Sequence, residues 1–264
     1  MNTIISRLSK NISDGQCLLC NLGQHSFIVK LGGTIVYLDP FVTHLSGRLL
    51  PPPLEADEIT NADIVTGSHD HGDHIDRPSW PAIATASPQA VFIVPKAVKP
   101  SIREVPSNRM KGLNAGESIT IRDVTVTAVP AAHELLDKDQ KTGLYPYLGY
   151  IVQGNGVTIY HSGDTCIYEG MAKLLRKWKI DIALLPINGR DAKRLRRNCI
   201  GNMTFQEAVD LAGAIRPKMA IPAHFDMFRG NTEDPRKFID YLKIKYPDIA
   251  CARPPRGKVV HISF

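Results

Sequence analysis

Residues Ser68 to Asp76 read SHDHGDHID, and three of the nine histidines in this 264-residue chain fall inside that stretch with three aspartates. Imidazoles and carboxylates crowded in this way gain little from burial and repel their own kind, so the pattern asks for a bound cation. His69 and His71 alternate as neighbours on one side of an extended segment, while Asp73 and His74 follow Gly72, which is expected to turn the backbone sharply. Two ligand pairs would then face two adjacent points. Imidazole nitrogen with carboxylate oxygen suits zinc, manganese or iron, and no cysteine in the cluster demands a closed structural zinc. Further donors stand where short β-rich runs stop: His133 in PAAHE, Asp164 in HSGDT and His224 in PAHFD. His69, His71, Asp73, His74, His133, Asp164 and His224 together would hold two divalent transition metal ions, with Asp164 able to bridge them and positions left for water. His133 has a second reading, as a strand-end cap or a satisfied core residue.

Two ions roughly 3.5–4 Å apart lower the pKa of a shared water from ~15.7 toward neutrality, which supplies hydroxide at pH 7 without a strong base. One ion would polarise the carbonyl or phosphoryl oxygen under attack, so no serine triad is required. Asp73 is the candidate catalytic residue, orienting the nucleophile and passing its proton to the leaving group. Its other reading is ligand alone. Asp39, in YLDP, either braces a ligating histidine from behind or simply opens a turn. INGRDAKRLRRN carries Arg190, Lys193, Arg194, Arg196 and Arg197. An arginine fork suits phosphate or carboxylate, so Asn188 and Arg190 are expected to grip a small anionic substrate, possessing a phosphate in one version. For Lys193 to Arg197 a solvated basic loop is the competing reading. ELLDKDQKTGLYPYLGY is expected to form part of the pocket wall, and Cys166 to lie near the site or be buried. His161 reads as a buried outer partner, and His25, His44 and His261 as structural.

These residues need elements to position them. HSFIVKLGGTIVYLDP reads as two strands joined at Gly32-Gly33, and ADIVTGSHDH as a short apolar strand running into the histidines. AVFIVP, SITIRDVTVTAVPAAH, YLGYIVQGNGVTIYHSGD and DIALLPING follow, each a β-rich run. Helices are expected in MAKLLRKWK, in MTFQEAVDLAGAIR with a Thr204/Glu207 capping box, and in DPRKFIDYLKIKY with Asp234 before Pro235. No repeat or long linker divides the chain, so residues 1–264 read as a single α/β domain.

Composition sets wide bounds: 43% hydrophobic, 22% charged and a formal net charge of +6 describe an ordinary globular chain that would meet anions readily. No run approaches the roughly 18 apolar residues of a membrane span. The opening MNTIISRLSKNISDGQ lacks an apolar secretion core, and the five cysteines are odd in number and scattered, so reduced thiols and a cytoplasmic location are expected. Cys17 and Cys20 form a C-x-x-C without a second pair, and buried hydrophobes are the expectation. With 7% aromatic residues and no stacking platform in view, no nucleic-acid partner is expected. Self-association as a homo-oligomer stays open.

H-x-H-x-D-H followed by a strand-end His, a Gly-Asp and a late His resembles the metallo-β-lactamase fold superfamily, from about Gly23 to His224. SHDHGDHID, DKDQKTGLYPYLGY, IYHSGDT, DIALLPINGR and MTFQEAVDLAGAIRPKMAIPAHFDMF are similar to its L-ascorbate-6-phosphate lactonase-like branch. That resemblance implies a four-layer αββα sandwich. It implies one ion on His69, His71 and His133, a second on Asp73, His74 and His224, and Asp164 between them. The activity implied is metal-dependent hydrolysis, opening a lactone such as that of a phosphorylated sugar acid. This chain carries His133 where that branch does not require a histidine, so the substrate does not transfer unchanged. A phosphodiesterase acting on a nucleotide, RNA or a phospholipid head group is the alternative. Di-iron oxygen reductases share the fold but would carry glutamate at His71 and add a flavin domain. A non-catalytic metal-binding protein would be marked by lost ligands, and all seven positions are filled.

Overall fold

The computed structural model of the chain describes residues 3–264, so Met1 and Asn2 of the opening segment lie outside the described residues. In chain order the first strands are β1 (Gln16–Gly23), β2 (Ser26–Leu31), β3 (Thr34–Leu38), β4 (Ile64–Thr66), β5 (Val91–Pro95), β6 (Met110–Leu113) and β7 (Ser118–Ile121). The rest are β8 (Val124–Pro130), β9 (Leu148–Gly154), β10 (Val157–His161), β11 (Ile182–Pro186), β12 (Met219–Ala223), β13 (Ala250–Cys251) and β14 (Val259–Ser263). Helices are α1 (Thr3–Leu8), α2 (Trp80–Ala86), α3 (Met171–Leu175), α4 (Ala192–Arg196), α5 (Phe205–Ile215) and α6 (Pro235–Lys245).

Two seven-stranded sheets result, ordered β14-β1-β2-β3-β4-β5-β6 and β13-β12-β11-β10-β9-β8-β7. Each is antiparallel at one end and parallel at the other: β3 to β6 pair in parallel, as do β10 to β13. Side chains alternate across a strand, and β1 shows what this achieves. Leu18, Cys20 and Leu22 pack outward with Ile4, Leu8, Trp80 and Ile83 of α1 and α2. Cys17 and Leu19 pack inward, in the cluster that holds Val126, Tyr150 and Ile159 of the second sheet. On that sheet's outer face Ile151, Tyr160 and Leu185 meet Leu175, Val209, Ala212 and Phe238 from α3, α5 and α6. Three apolar layers thus separate four layers of structure, the expected αββα sandwich. Cys17 and Cys20 point to opposite faces and cannot share an ion, and burial pushes both thiols up to about 12.

The hairpin at Gly32-Gly33 forms as expected, with Gly32 at a φ of 57°. The capping box is present too: Thr204 Oγ1 accepts from Glu207 N at 3.2 Å and Glu207 Oε2 accepts from Thr204 N at 2.8 Å. Asp234 caps α6. Two segments differ from expectation. SITIRDVTVTAVP is a hairpin, β7 and β8, because Arg122 takes a left-handed φ of 56° without needing a glycine. The basic run after Asn188 is not a plain loop: Asp191 accepts from the backbone N–H groups of Lys193 and Arg194 and starts the short helix α4. Among the described residues no helix is long and apolar enough to cross a membrane. The ends of β1, β3, β4, β8, β10, β11 and β12 meet at one edge of the sandwich, where the donor residues lie.

Candidate metal centre

Strand β4 delivers the SHDHGDHID loop, which is wound tightly by its own backbone: His71 N donates to His69 O at 3.0 Å, His74 N to His71 O at 3.0 Å and Ile75 N to His71 O at 2.8 Å. The sharp turn expected at Gly72 forms, but it does not draw on the conformational freedom of glycine. Gly72 is not among the residues of positive φ, and a Cβ there would meet nothing within 4 Å. The bracing comes from the aspartates on either side. Buried Asp76 accepts from Val42 N and Thr43 N, both at 2.8 Å, and from Thr43 Oγ1 at 2.5 Å. Asp70 takes a fork from Arg77 Nη2 at 2.8 Å to each oxygen. Glycine does matter in HSGDT: at Gly163, φ +60°, an added Cβ would lie 2.4 Å from Leu148 O and 2.9 Å from Ser68 Cβ. Only glycine lets the Asp164 loop press against the histidine loop.

All seven predicted donors come together. His69 Nε2 lies 2.9 Å from His71 Nδ1. His74 Nε2 and His224 Nε2 each stand 3.7 Å from Asp73 Oδ2. Asp164 sits between the groups, with Oδ1 3.3 Å from His74 Nε2, and Oδ2 3.2 Å from His224 Nε2 and 3.7 Å from His133 Nε2. Three overlapping sets have their ligand atoms within 4.8 Å of one another: His69, His71 and His133; His69, His74 and Asp164; and Asp73, His74 and His224. Nitrogen and oxygen donors of this kind fit divalent transition metals. A second sign of fit is that buried His74 Nε2 and Asp164 Oδ1, though 3.3 Å apart, make no hydrogen bond with each other or with any other of the described residues.

Charge is divided unevenly over this cluster. Burial alone would raise Asp164 and Asp73, but protonated His74 and His224 outweigh it and hold both carboxyls well below the usual range. Burial would likewise lower His74 and His224, yet the two carboxylates win, raising His74 well above its ordinary value and His224 to about 9. His69 and His133 go the other way, lowered by burial and by the neighbouring cationic imidazoles. In the absence of metal, two imidazolium groups offset two carboxylates that a divalent ion would neutralise better.

Behind the donors stands a shell of buried partners. Asp39, fully buried with a left-handed φ of 45°, brings Oδ2 to 2.7 Å from His74 Nδ1, and its Oδ1 accepts from Ser68 N at 3.0 Å. Ser68 Oγ also donates to Asp39 and lies 3.0 Å from His69 Nδ1. Of the two readings of Asp39, the geometry matches the brace. Burial and neighbouring His161 push His25 down to about 3, and its Nδ1 lies 3.7 Å from Asp164 Oδ1. His25 therefore lies buried beneath Asp164, a place that its lack of any spacing motif concealed. His161 is buried as expected, with Nε2 donating to His25 O at 2.8 Å. His44 pairs with Glu55 and His261 with Gln16 at the surface.

The cluster forms the floor of a cavity of about 540 Å³, within the range of small-molecule sites. Asn188 lines it, but its side chain is taken up by Asn231 at 2.8 Å and Asn202 at 3.1 Å. Arg190 does not line it: its guanidinium forks onto Glu207, 2.7 Å to each oxygen, and donates to Asn202 O. A carboxylate one turn into α5 has captured it. The cavity wall instead carries Arg194 and Arg197 from the α4 segment and Arg229 from the loop after β12. Arg194 is tied to Asp191 and to Thr232 O, whereas Arg197 and Arg229 have no ion pair among the described residues. DKDQKTGLYPYLGY contributes less than expected. Half of it lines a separate cavity beside Ala97, and Tyr147 reaches the donors, its ring centroid 5.6 Å from His69 and 5.2 Å from His133. Cys166 is buried away from the cavity, which Cys199 lines.

Residues 34–225 match the family described as Beta-lactamase superfamily domain. The UPF0173 metal-dependent hydrolase of Thermococcus kodakarensis is 32% identical over 219 residues, 82% of this chain and 88% of its own length. Its counterpart from Methanopyrus kandleri is 30% identical over 219 residues, 82% and 87% of the two chains. Igni18, a metallo hydrolase from Ignicoccus hospitalis, superimposes with a TM-score of 0.75 over 94% of this chain and 99% of its own, at 22% identity, and so shares the fold. With the sandwich, the strand-end donors and these matches in agreement, the chain belongs to the metallo-β-lactamase superfamily, among its UPF0173 relatives.

Proposed function

We propose that this protein is a metal-dependent hydrolase of small anionic substrates, with a lactone such as that of a phosphorylated sugar acid as the leading substrate class. The observation that carries the reading is the convergence of seven nitrogen and oxygen donors from four separated segments, with His71, Asp73, His133, Asp164 and His224 lining one cavity. His69, His71 and His133 would hold one divalent ion, Asp73, His74 and His224 a second, and Asp164 would touch both. Zinc or manganese suits these donors best, and iron also fits. When bound, such a pair supplies Lewis acidity and an acidified water.

The chain's own groups account for the rest. Asp39 fixes the ring of His74 by accepting at Nδ1, which holds Nε2 toward the donors. Asp73 Oδ2 faces His74 and His224, while Oδ1 takes no hydrogen bond among the described residues, so Oδ1 is the atom to receive the nucleophile's proton and return it to the leaving alkoxide. Arg197 and Arg229 would hold the anionic end of the substrate, in the role expected of Arg190. The same guanidinium groups favour a phosphodiester as the second reading, and the cavity's size favours a nucleotide or head group over a polymer. The test loads the metal-stripped protein separately with Zn²⁺ and Mn²⁺ and assays panels of lactones and of phosphodiesters beside Asp164→Ala. Metal-dependent turnover of the lactones supports the first reading, and preference for phosphodiesters replaces it with the second. Activity that survives both chelation and Asp164→Ala overturns both.

A further inference from the structure

Gln24 sits at the turn between β1 and β2, 2% exposed and at a left-handed φ of 54° that a glutamine adopts only when its surroundings hold it there. Its backbone is pinned from both sides to the loop that carries His224: Gln24 O accepts from His224 N at 2.7 Å, and Gln24 N donates to Asp226 Oδ1 at 2.8 Å. The side chain is thereby aimed at the donors. Its amide nitrogen lies 2.7 Å from Asp73 Oδ2 and 3.0 Å from His224 Nε2, and its Oε1 is buried without any partner.

Ligand atoms at right angles on one ion, with bonds of about 2.1 Å, stand roughly 3 Å apart. The accepted candidates stand at that spacing or a little wider, 3.2 Å for His224 to Asp164, 3.3 Å for His74 to Asp164 and 3.7 Å for Asp73 to both His74 and His224. The amide head of Gln24 keeps it as well, toward two members of the second triad. An N–H aimed at the point where these donors converge would oppose a cation. Half a turn of the amide reverses this, presenting the oxygen that now has no partner, and the two ends of an amide have the same shape.

We infer that Gln24 is a ligand of the second ion, giving a neutral amide oxygen beside Asp73, His74, His224 and Asp164. This rests on the two-ion reading and deepens it. A five-donor set with three oxygens is rich for tetrahedral zinc and suits the higher coordination of manganese or iron. The second position would therefore prefer Mn²⁺ or Fe²⁺, while the all-imidazole position, with Asp164, would take Zn²⁺.

The experiment measures binding of Mn²⁺ alone to metal-stripped wild type, Gln24→Ala and Gln24→Glu by chelator competition and metal counting. Co²⁺ absorption reports coordination number independently of activity. Wild type should bind two ions. Gln24→Ala should keep the first ion's affinity and lose about 10–100-fold at the second, with its Co²⁺ band strengthening as coordination falls. Gln24→Glu decides between ligand and brace. A carboxylate oxygen at a ligand position should hold the second ion at least as tightly as wild type, whereas an amide needed only to donate to Asp73 would be replaced by a repelling charge. Equal second-ion affinity in wild type and Gln24→Ala, or weakening by Gln24→Glu as large as that by Gln24→Ala, overturns the ligand role and leaves the two-ion reading intact. If wild type itself binds no ion, both fall. If Gln24→Ala does not fold, Gln24→Glu alone decides, tighter or equal binding supporting the assignment and weaker binding overturning it.

Discussion

His69, His71 and His133 form an all-imidazole group with His71 exposed, whereas Asp73, His74 and His224 include a carboxylate, and two members of each group line the cavity. The first group is backed by little more than Ser68 and the ring of Tyr147. The second is gripped from behind by Asp39 and has the amide of Gln24 beside Asp73 and His224. Protonation also divides the cluster, since burial lowers His69 and His133 while the carboxylates raise His74 and His224. On the two-ion reading, the contrast teaches that one fold would give two neighbouring cation positions different character: at one, burial already keeps His69 and His133 neutral, while at the other a metal would have to displace protons from His74 and His224.

The harshest way to break the comparison is to remove what the two groups share. Asp164→Ala should lower metal-dependent turnover by about 10³-fold or more and leave at most one tightly held ion, as read by steady-state kinetics with metal counting. A gentler lever is pH. His224 is raised to about 9 from 6.5, so its proton stabilises the metal-free fold fully below pH 6.5 and that contribution is lost as pH climbs through about 9. Second-ion affinity should run opposite, weakening by about tenfold per pH unit for each displaced proton as pH falls below 9. Because His69 and His133 are lowered, the first ion should show little change over this window. Calorimetry in buffers of different ionisation enthalpy, with melts of the metal-stripped protein, measures both halves. Proton release shared equally between the two ions would remove the distinction.

Asp39→Ala comes next. Without an acceptor at Nδ1 the ring of His74 loses its orientation, and second-ion affinity should drop by about 10–100-fold with a smaller loss at the first. Arg197→Ala and Arg229→Ala should each raise KM by about tenfold with kcat little changed, as expected for a group that binds substrate and transition state alike. Arg190→Ala should leave KM alone and cost no more than about 1 kcal/mol in a melt, because its partner is Glu207 and the pair is partly exposed.

The donors were legible in the sequence because metal chemistry restricts both residue type and spacing: HDHGDH admits few other uses, and Asp164 and His224 stand at the ends of apolar runs. The sandwich was legible for a similar reason, each β-rich run stopping on a polar residue. Other features left no trace of that kind. Gln24 and His25 follow a strand as any turn residues do, and only the approach of the Asp164 and His224 loops gives them a role. Asp76 lay inside the same quoted stretch, but its duty to Val42 and Thr43 depends on a loop that folds back from 33 residues away. Arg190 misled because a basic run does not say which guanidinium a nearby carboxylate will capture. Arg229 was missed because it stands alone in sequence, and it joins Arg197 only through the return of the loop after β12.

The bond from His224 N to Gln24 O ties together points 200 residues apart. During synthesis, a nascent chain would expose six of the seven donors long before the last one leaves the ribosome, with the group of Asp73 and His74 still missing a corner. Cation capture there belongs at the end of folding, when the closing loop docks onto the first hairpin. An ion so placed would act as a latch across the two sheets, and stripping it should loosen the earliest and latest parts of the chain together.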